Sequence, residues 1–167
     1  ATATTVPELG NEIRQQAQGV RERPSVLIHG DLSPKNILVS PPGESPRVWL
    51  IDFEVACYGD PAFDLAFLLS HLMLKSIHLP SLAHDFDSLA TDFCNAYAAA
   101  AGPELRPDWS RINPLVGCLM MARVHGKSPV EYLTASARLI ADKVGRALLT
   151  ADTSTFNELT CYRELHS

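Results

Sequence analysis

Three side chains in one short stretch could hold a cation against a phosphate. Asp31 lies in His-Gly-Asp, Asn36 follows five residues later, and Asp52 opens Asp-Phe-Glu after an apolar run. Magnesium takes oxygen ligands, few from protein and the rest from water and phosphate. An amide oxygen and a carboxylate would suffice if the chain brought them together. A second carboxylate beside them could take a proton from a hydroxyl attacking a metal-bound phosphate.

The elements between these residues predict that convergence. Two β-prone runs, Ile37-Leu38-Val39 and Val48-Trp49-Leu50-Ile51, flank the segment Ser40 to Pro46, which holds three prolines and a glycine. This reads as an antiparallel hairpin. Asn36 precedes the first strand and Asp52 follows the second, so pairing puts both at one end of the ribbon. Neighbouring strands lie about 5 Å apart. Asp31, on the loop entering the first strand, belongs at the same edge.

This pattern resembles the catalytic half of the aminoglycoside phosphotransferase and choline kinase-like family. The matching elements are H-G-D-x-x-x-x-N, an apolar strand, D-F-E, and the following GDPAFDLAFLL. The family shares the protein-kinase-like fold, in which the loop reads H-R-D-x-x-x-x-N and the metal motif D-F-G. The resemblance covers roughly residues 20–150 and implies ATP-dependent phosphorylation of a small-molecule hydroxyl. Asp31 would be the base, and Asn36 and Asp52 the ligands of Mg²⁺ on the triphosphate of ATP. It also implies an α+β, mainly helical fold: a kinase-like C-terminal lobe with a catalytic hairpin on a helical body.

Other residues of the stretch carry two readings each. His29 holds the loop by hydrogen bonds and packing, or acts directly, where it would crowd Asp31. Gly30 allows a tight path beside Asp31. Ser33 stands where protein kinases commonly have lysine, and Lys35 follows Asp31 by four, which favours a small-molecule kinase. Lys35 is a phosphate contact or a solvated lysine. Glu54, in place of the glycine of D-F-G, contacts metal through water, binds a cationic substrate, or is a loop carboxylate. Asp60 before Pro61 is an N-cap. Asp64, in an otherwise apolar helix, must be hydrogen-bonded, and the resemblance implies bonds from the catalytic-loop backbone.

The chain has 167 residues, 46% of them hydrophobic, and a net charge of −5. That suits one domain with a real core and argues against nucleic acid as the main partner. The most apolar stretch, Ala62 to Leu79, is interrupted by Asp64, His71 and Lys75 and reads as a buried helix, not a membrane span. No signal-peptide pattern opens the chain. Cys57, Cys94, Cys118 and Cys161 are scattered without CxxC, which fits buried, reduced thiols in a cytoplasmic protein.

Helical patterning predicts a leading helix over Pro7 to Arg23, with Ile13, Ala17 and Val20 on one face. Further helices are expected over Pro61–Ile77, Ser81–Ala101 (Leu82, Phe86, Leu89, Phe93, Tyr97), Asp108–Val124 and Pro129–Leu149 (Val130, Leu133, Ala137, Ile140, Val144, Leu148). This divides the chain into a leading helix (1–25), the catalytic loop and metal hairpin (26–60), a helical body (61–149) and a polar tail (150–167). Gly126-Lys127-Ser128 is no phosphate loop, since Met121 stands where the first glycine is needed. The segment Ala122 to Pro129 resembles a late segment of some bacterial and fungal family members in which the position of His125 is often acidic. Any substrate contact made by that acid would be lost here.

About 25 residues precede the catalytic loop, with no glycine-rich loop and no lysine before Lys35. The expectation is therefore the C-terminal lobe of a longer enzyme, or a truncated relative. It would be inactive on ATP by itself, and would self-associate through the apolar face of the missing lobe. A non-catalytic kinase-like binding module is the alternative.

Overall fold

The computed structural model describes residues 2–150. A short helix α1 (Thr2–Thr5) and a 3₁₀ turn (Pro7–Leu9) lead into α2 (Gly10–Arg21). The strands β1 (Val26–Ile28), β2 (Ile37–Val39), β3 (Val48–Leu50) and β4 (Cys57–Gly59) follow. The body comprises α3 (Pro61–His78), α4 (Ala83–Ala100), α5 (Trp109–His125) and α6 (Ala135–Thr150). The architecture is mainly helical α+β with two small antiparallel sheets.

The sheets are nested. β2 pairs with β3, Leu38 opposite Trp49, while β1 pairs with β4, Leu27 opposite Tyr58. The outer pair thus brackets the inner hairpin. Two loops run between them, 29–36 outward and 51–56 back, and the nesting lays them side by side. The hairpin was legible in the sequence; the β1–β4 pair was not, because no turn joins its strands, which are separated by the whole inner hairpin.

Helix α3 is the axis of the core. Pro61 starts it at an allowed first-turn position, and the Asp60 side chain caps it by accepting from the Ala62 amide at 3.0 Å. Asp60 also pairs with Arg111 of α5. Leu65, Leu68, Leu69, Leu72, Met73 and Leu74 are all buried, while Asp64, His71, Lys75 and His78 mark a partly open face. The buried side chains meet Ile112, Leu115, Val116 and Met120 of α5 and Val144 and Leu148 of α6. No single described helix is long and apolar enough to cross a membrane.

Several elements depart from the sequence expectation. The last helix begins at Ala135, not Pro129, because residues 129–134 run irregularly and bury Val130 and Leu133 without helical turns. The Thr134 hydroxyl accepts from the Ala137 amide at 3.2 Å and so caps the new start. Ile140 faces solvent, because Ala137, Ala141, Val144 and Leu148 form the inward stripe. On α4 the inward stripe is Ala83, Ala90 and Cys94 with Phe86, Phe93 and Tyr97 at its flanks, which turns Leu82 and Leu89 outward. Ala17 of α2 is exposed while Ile13 is buried. Cys57, at the start of β4, is exposed rather than buried, since that ribbon covers no core on its outer side. Cys94 and Cys118 are free thiols pushed up to about 11 by burial. Cys161 and the tail after Thr150 lie outside the described residues.

Helices α5 and α6 approach closely at two glycines. A Cβ on Gly117 would come within 2.6 Å of the Gly145 carbonyl and 2.7 Å of the Leu149 nitrogen. Backbone cannot yield as a side-chain tip can, so Gly117→Ala forces the helices apart. The expected cost is about 1–3 kcal/mol, read as a lower melting temperature. Gly19→Ala is the control, since nothing lies within 4 Å of its added Cβ. It is expected to stabilise by roughly 0.5–1 kcal/mol through helix propensity.

Candidate active site

The two loops between the nested strands carry Asp31, Asn36 and Asp52. Three contacts lock them together. The Ile51 amide donates to the Asn36 carbonyl at 3.0 Å, extending the β2–β3 ladder by one rung. The His29 ring, buried and stacked on Phe53 at 4.5 Å, has Nε2 2.9 Å from the Ile51 carbonyl. Gly30, at φ 81°, passes so close to the second loop that a Cβ there would lie 2.7 Å from the Val55 carbonyl. Both the positive φ and the contact require glycine.

His29 also fixes its own tautomer. Its Nδ1 accepts from the Asp31 amide at 3.3 Å, so the proton sits on Nε2 and is donated to Ile51. One ring thereby connects the residue before Asp52 to the backbone of Asp31. This is a loop-holding arrangement of a buried ring.

Asn36 is buried at the end of a 3₁₀ turn, Pro34–Asn36. Its Nδ2 donates to the Asp31 carbonyl at 2.9 Å and to the Asp31 carboxylate at 3.1 Å. With both amide hydrogens directed at Asp31, Oδ1 is left as the free, hard oxygen. Asp52 stands exposed at the ribbon end with φ 67°, the one non-glycine at positive φ among the described residues. Aspartate tolerates that conformation better than most residues, and such strain concentrates at functional sites. An amide oxygen and a carboxylate oxygen are a fitting donor set for Mg²⁺, which takes few protein ligands. Among the described residues no group of three or more His, Cys, Asp or Glu forms a metal cluster.

Lys35 extends from the 3₁₀ turn to the Asp31 carboxylate at 2.9 Å. This hydrogen bond raises its pKa, with the Asp31 and Asp52 charges adding to the effect. Lys35 is exposed, so the pair is solvent-screened and swings easily. Glu54 sits exposed in the turn closed by the Ala56 amide on the Phe53 carbonyl at 3.0 Å. It is not drawn into the cluster.

Asp64 anchors the whole assembly from below. Its two carboxylate oxygens accept from the His29 amide at 2.6 Å and the Gly30 amide at 2.9 Å. It lies one turn into α3, so the loop hangs from the core helix. His125 instead pairs with Asp142 at 2.5 Å, on the α5–α6 seam. Asp142 also binds Arg146, and those two partners hold its carboxyl below the usual range against burial. Two clefts, of about 250 and 290 Å³, open between β1, α4 and the loop before α5, and neither is lined by Asp31, Asn36 or Asp52.

Sequence reasoning singled out Ser33 but missed its burial with an unpartnered hydroxyl, and it missed the surroundings of His71. That ring stacks on Phe67 at 5.1 Å, and its pKa is pushed down to about 4, by burial first and then by the Arg123 charge. A histidine inside a leucine-rich helix gave no sign of this.

The sequence model of the phosphotransferase enzyme family (APH) matches residues 3–115. No curated protein matches the chain.

Two measurements probe this geometry. Asp64→Ala leaves two buried amides unsatisfied and is expected to cost on the order of 1–3 kcal/mol, with faster hydrogen exchange at His29 and Gly30. An unchanged melting temperature would contradict the anchoring role. For His71 the folded pKa lies below the unfolded one. The unfolded chain therefore binds the extra proton as pH falls from about 6.5 to about 4, and stability drops across that window. His71→Gln is expected to flatten this part of the stability profile, measured by urea unfolding against wild type.

Proposed function

Given that the chain belongs to the phosphotransferase enzyme family, we propose that it carries the catalytic half of an ATP-dependent kinase for a small-molecule alcohol. The observation that carries the reading is the junction of the two loops. There Asn36 spends its amide hydrogens on Asp31 and leaves Oδ1 beside the ribbon end that bears Asp52. In this reading the chain forms the lower lobe of a protein-kinase-like fold.

Asp31 is the base. The carboxylate is only about 22% exposed and is held on one side by Asn36 and Lys35. The hydrogen bond from Asn36 orients one oxygen, and the other can receive the proton of an attacking hydroxyl. Lys35, on a solvent-screened contact, can leave Asp31 for an incoming phosphate oxygen. Asn36 Oδ1 and the Asp52 carboxylate would hold Mg²⁺, whose charge offsets that of the triphosphate when bound. Phosphoryl transfer needs little covalent help from protein, so rigid placement of these groups is the main contribution. The rigidity comes from His29, Gly30 and Asp64.

The apolar ribbon above the site supports the same reading. Leu38, Val39, Val48, Trp49, Leu50 and Phe53 are exposed on it. Such a patch suits the adenine side of a nucleotide and a covering lobe, or a second copy of the chain. The protein would act in the cytoplasm, where ATP is available.

The test is ADP release with Mg²⁺, ATP and a panel of alcohols, using the chain and any longer product of its reading frame. Asp31→Ala is expected to lower turnover by about 10²–10⁴-fold with an unchanged melting temperature. Turnover within threefold of wild type would remove Asp31 from the mechanism, and no transfer to any alcohol would favour a binding module.

A further inference from the structure

The face of α3 that starts at Asp64 continues as Phe67, His71, Lys75 and His78, spaced so that all five stack along one side of the helix. At its first turn this face holds the loop that bears Asp31. Beyond it lies a strip of cations seated on rings. Arg123 of α5 rests over the Phe67 ring at 5.4 Å, and Lys75 over the Tyr132 ring at 5.5 Å. Tyr132 in turn stacks on His78 at 4.9 Å.

Neither cation has a carboxylate partner among the described residues. Among the described residues the Arg123 guanidinium makes one hydrogen bond, a long one of 3.3 Å to the Ser128 carbonyl, which leaves most of its donors unused there. Both side chains are half-buried, where an unanswered charge is costlier than in open water. The charges that bear on the His71 ring are Arg123, Lys75 and Lys35 against Asp31 alone. Asp31 is already matched by Lys35, so Arg123 and Lys75 remain as surplus positive charge. This surplus stands in a chain whose net charge is −5.

We propose that this strip binds the acceptor, and that the acceptor is an anionic hydroxyl compound, with a carboxylate or phosphate against Arg123 and Lys75 and its hydroxyl at Asp31. The proposal rests on the kinase reading of Asp31. Phe67, which carries Arg123, lies about one turn beyond Asp64 and Lys75 about three, so along the helix the strip runs from roughly 5 to 16 Å beyond the residue that holds the Asp31 loop. The guanidinium, over the Phe67 ring at 5.4 Å, keeps donors suited to bidentate contact with a carboxylate or phosphate. His71, neutral between the cations, adds no repulsion. A polycationic acceptor would meet Arg123 and Lys75 with like charge. Arg123 and Tyr132 lie beyond residues 3–115 that match the family, whereas Lys75 lies within them.

The experiment is calorimetric binding to the full chain at low salt. The probes are glycerate, glycerol 3-phosphate, neutral glycerol and the polycation kanamycin, with MgATP measured alongside. Glycerate or glycerol 3-phosphate is expected to bind at least about tenfold more tightly than glycerol, and kanamycin more weakly than either. Arg123→Gln and Lys75→Gln should each weaken the anionic probe by about tenfold, Arg123→Lys less so, with MgATP binding unchanged. Lys75→Gln keeps the test open if Arg123→Gln does not fold. Equal binding of glycerol, preference for kanamycin, or variants that weaken MgATP instead of the anions would overturn the proposal. The last result would assign the cations to the triphosphate. Anion binding through Arg123 and Lys75 without transfer to any hydroxyl would keep the anion site but overturn its role as an acceptor site, and the kinase reading with it. Transfer to neutral alcohols that ignores both substitutions would keep the kinase reading and remove the strip.

Discussion

The fold depends on one carboxylate in an otherwise apolar helix. Asp64 is placed by the first turns of α3, and α3 is fixed by the burial of its leucine-rich faces against α5 and α6. Its two oxygens take the amides of His29 and Gly30. Hydrogen bonds to a charged acceptor are worth about 1.5–3 kcal/mol, enough to hold a loop that has no regular structure of its own. The core thereby sets the position of Asp31 without touching it, and rigidity passes from leucine packing to a polar loop through two hydrogen bonds.

Everything above that anchor is arranged by nesting one strand pair inside another. The outer pair closes the ends of two loops, and the inner hairpin sets their lengths. Contacts between the loops are then short-range and strong: a rung at Asn36 and Ile51, a histidine bridging both, and a glycine that admits the Val55 carbonyl. Asp52 accepts a left-handed conformation at the turn out of β3. The strain is local, and the ladder beneath it sustains it. The result is a pair of hard oxygen donors and a carboxylate whose geometry does not rely on flexible side chains.

Charge is distributed unevenly around that geometry. The exposed ribbon on one side is apolar, while the α3 face on the other gathers Arg123 and Lys75 on aromatic rings. Rings accommodate cations without neutralising them. Positive charge is therefore kept along this face of α3 in a protein that is acidic as a whole.

The hairpin, the order of Asp31, Asn36 and Asp52, and the apolar α3 were legible in the sequence, because local periodicity and turn chemistry encode them. Helix α3 reads as core from any single turn, and a ribbon joined by a proline-rich turn can pair in few ways. The resemblance built on those residues led to the family that the wider comparison also gives. Tertiary structure alone decided the rest. The start of α6 at Ala135 follows from how Val130 and Leu133 pack, not from their spacing. The outward turn of Ile140, Leu82 and Leu89 reflects which face met α3 and α5, since a smaller stripe of alanines allowed closer approach. The β1–β4 pair, the tautomer of His29 and the meeting of Arg123 with Phe67 join residues far apart in the chain. Periodicity carries information over a few turns, whereas these contacts exist only once distant segments pack.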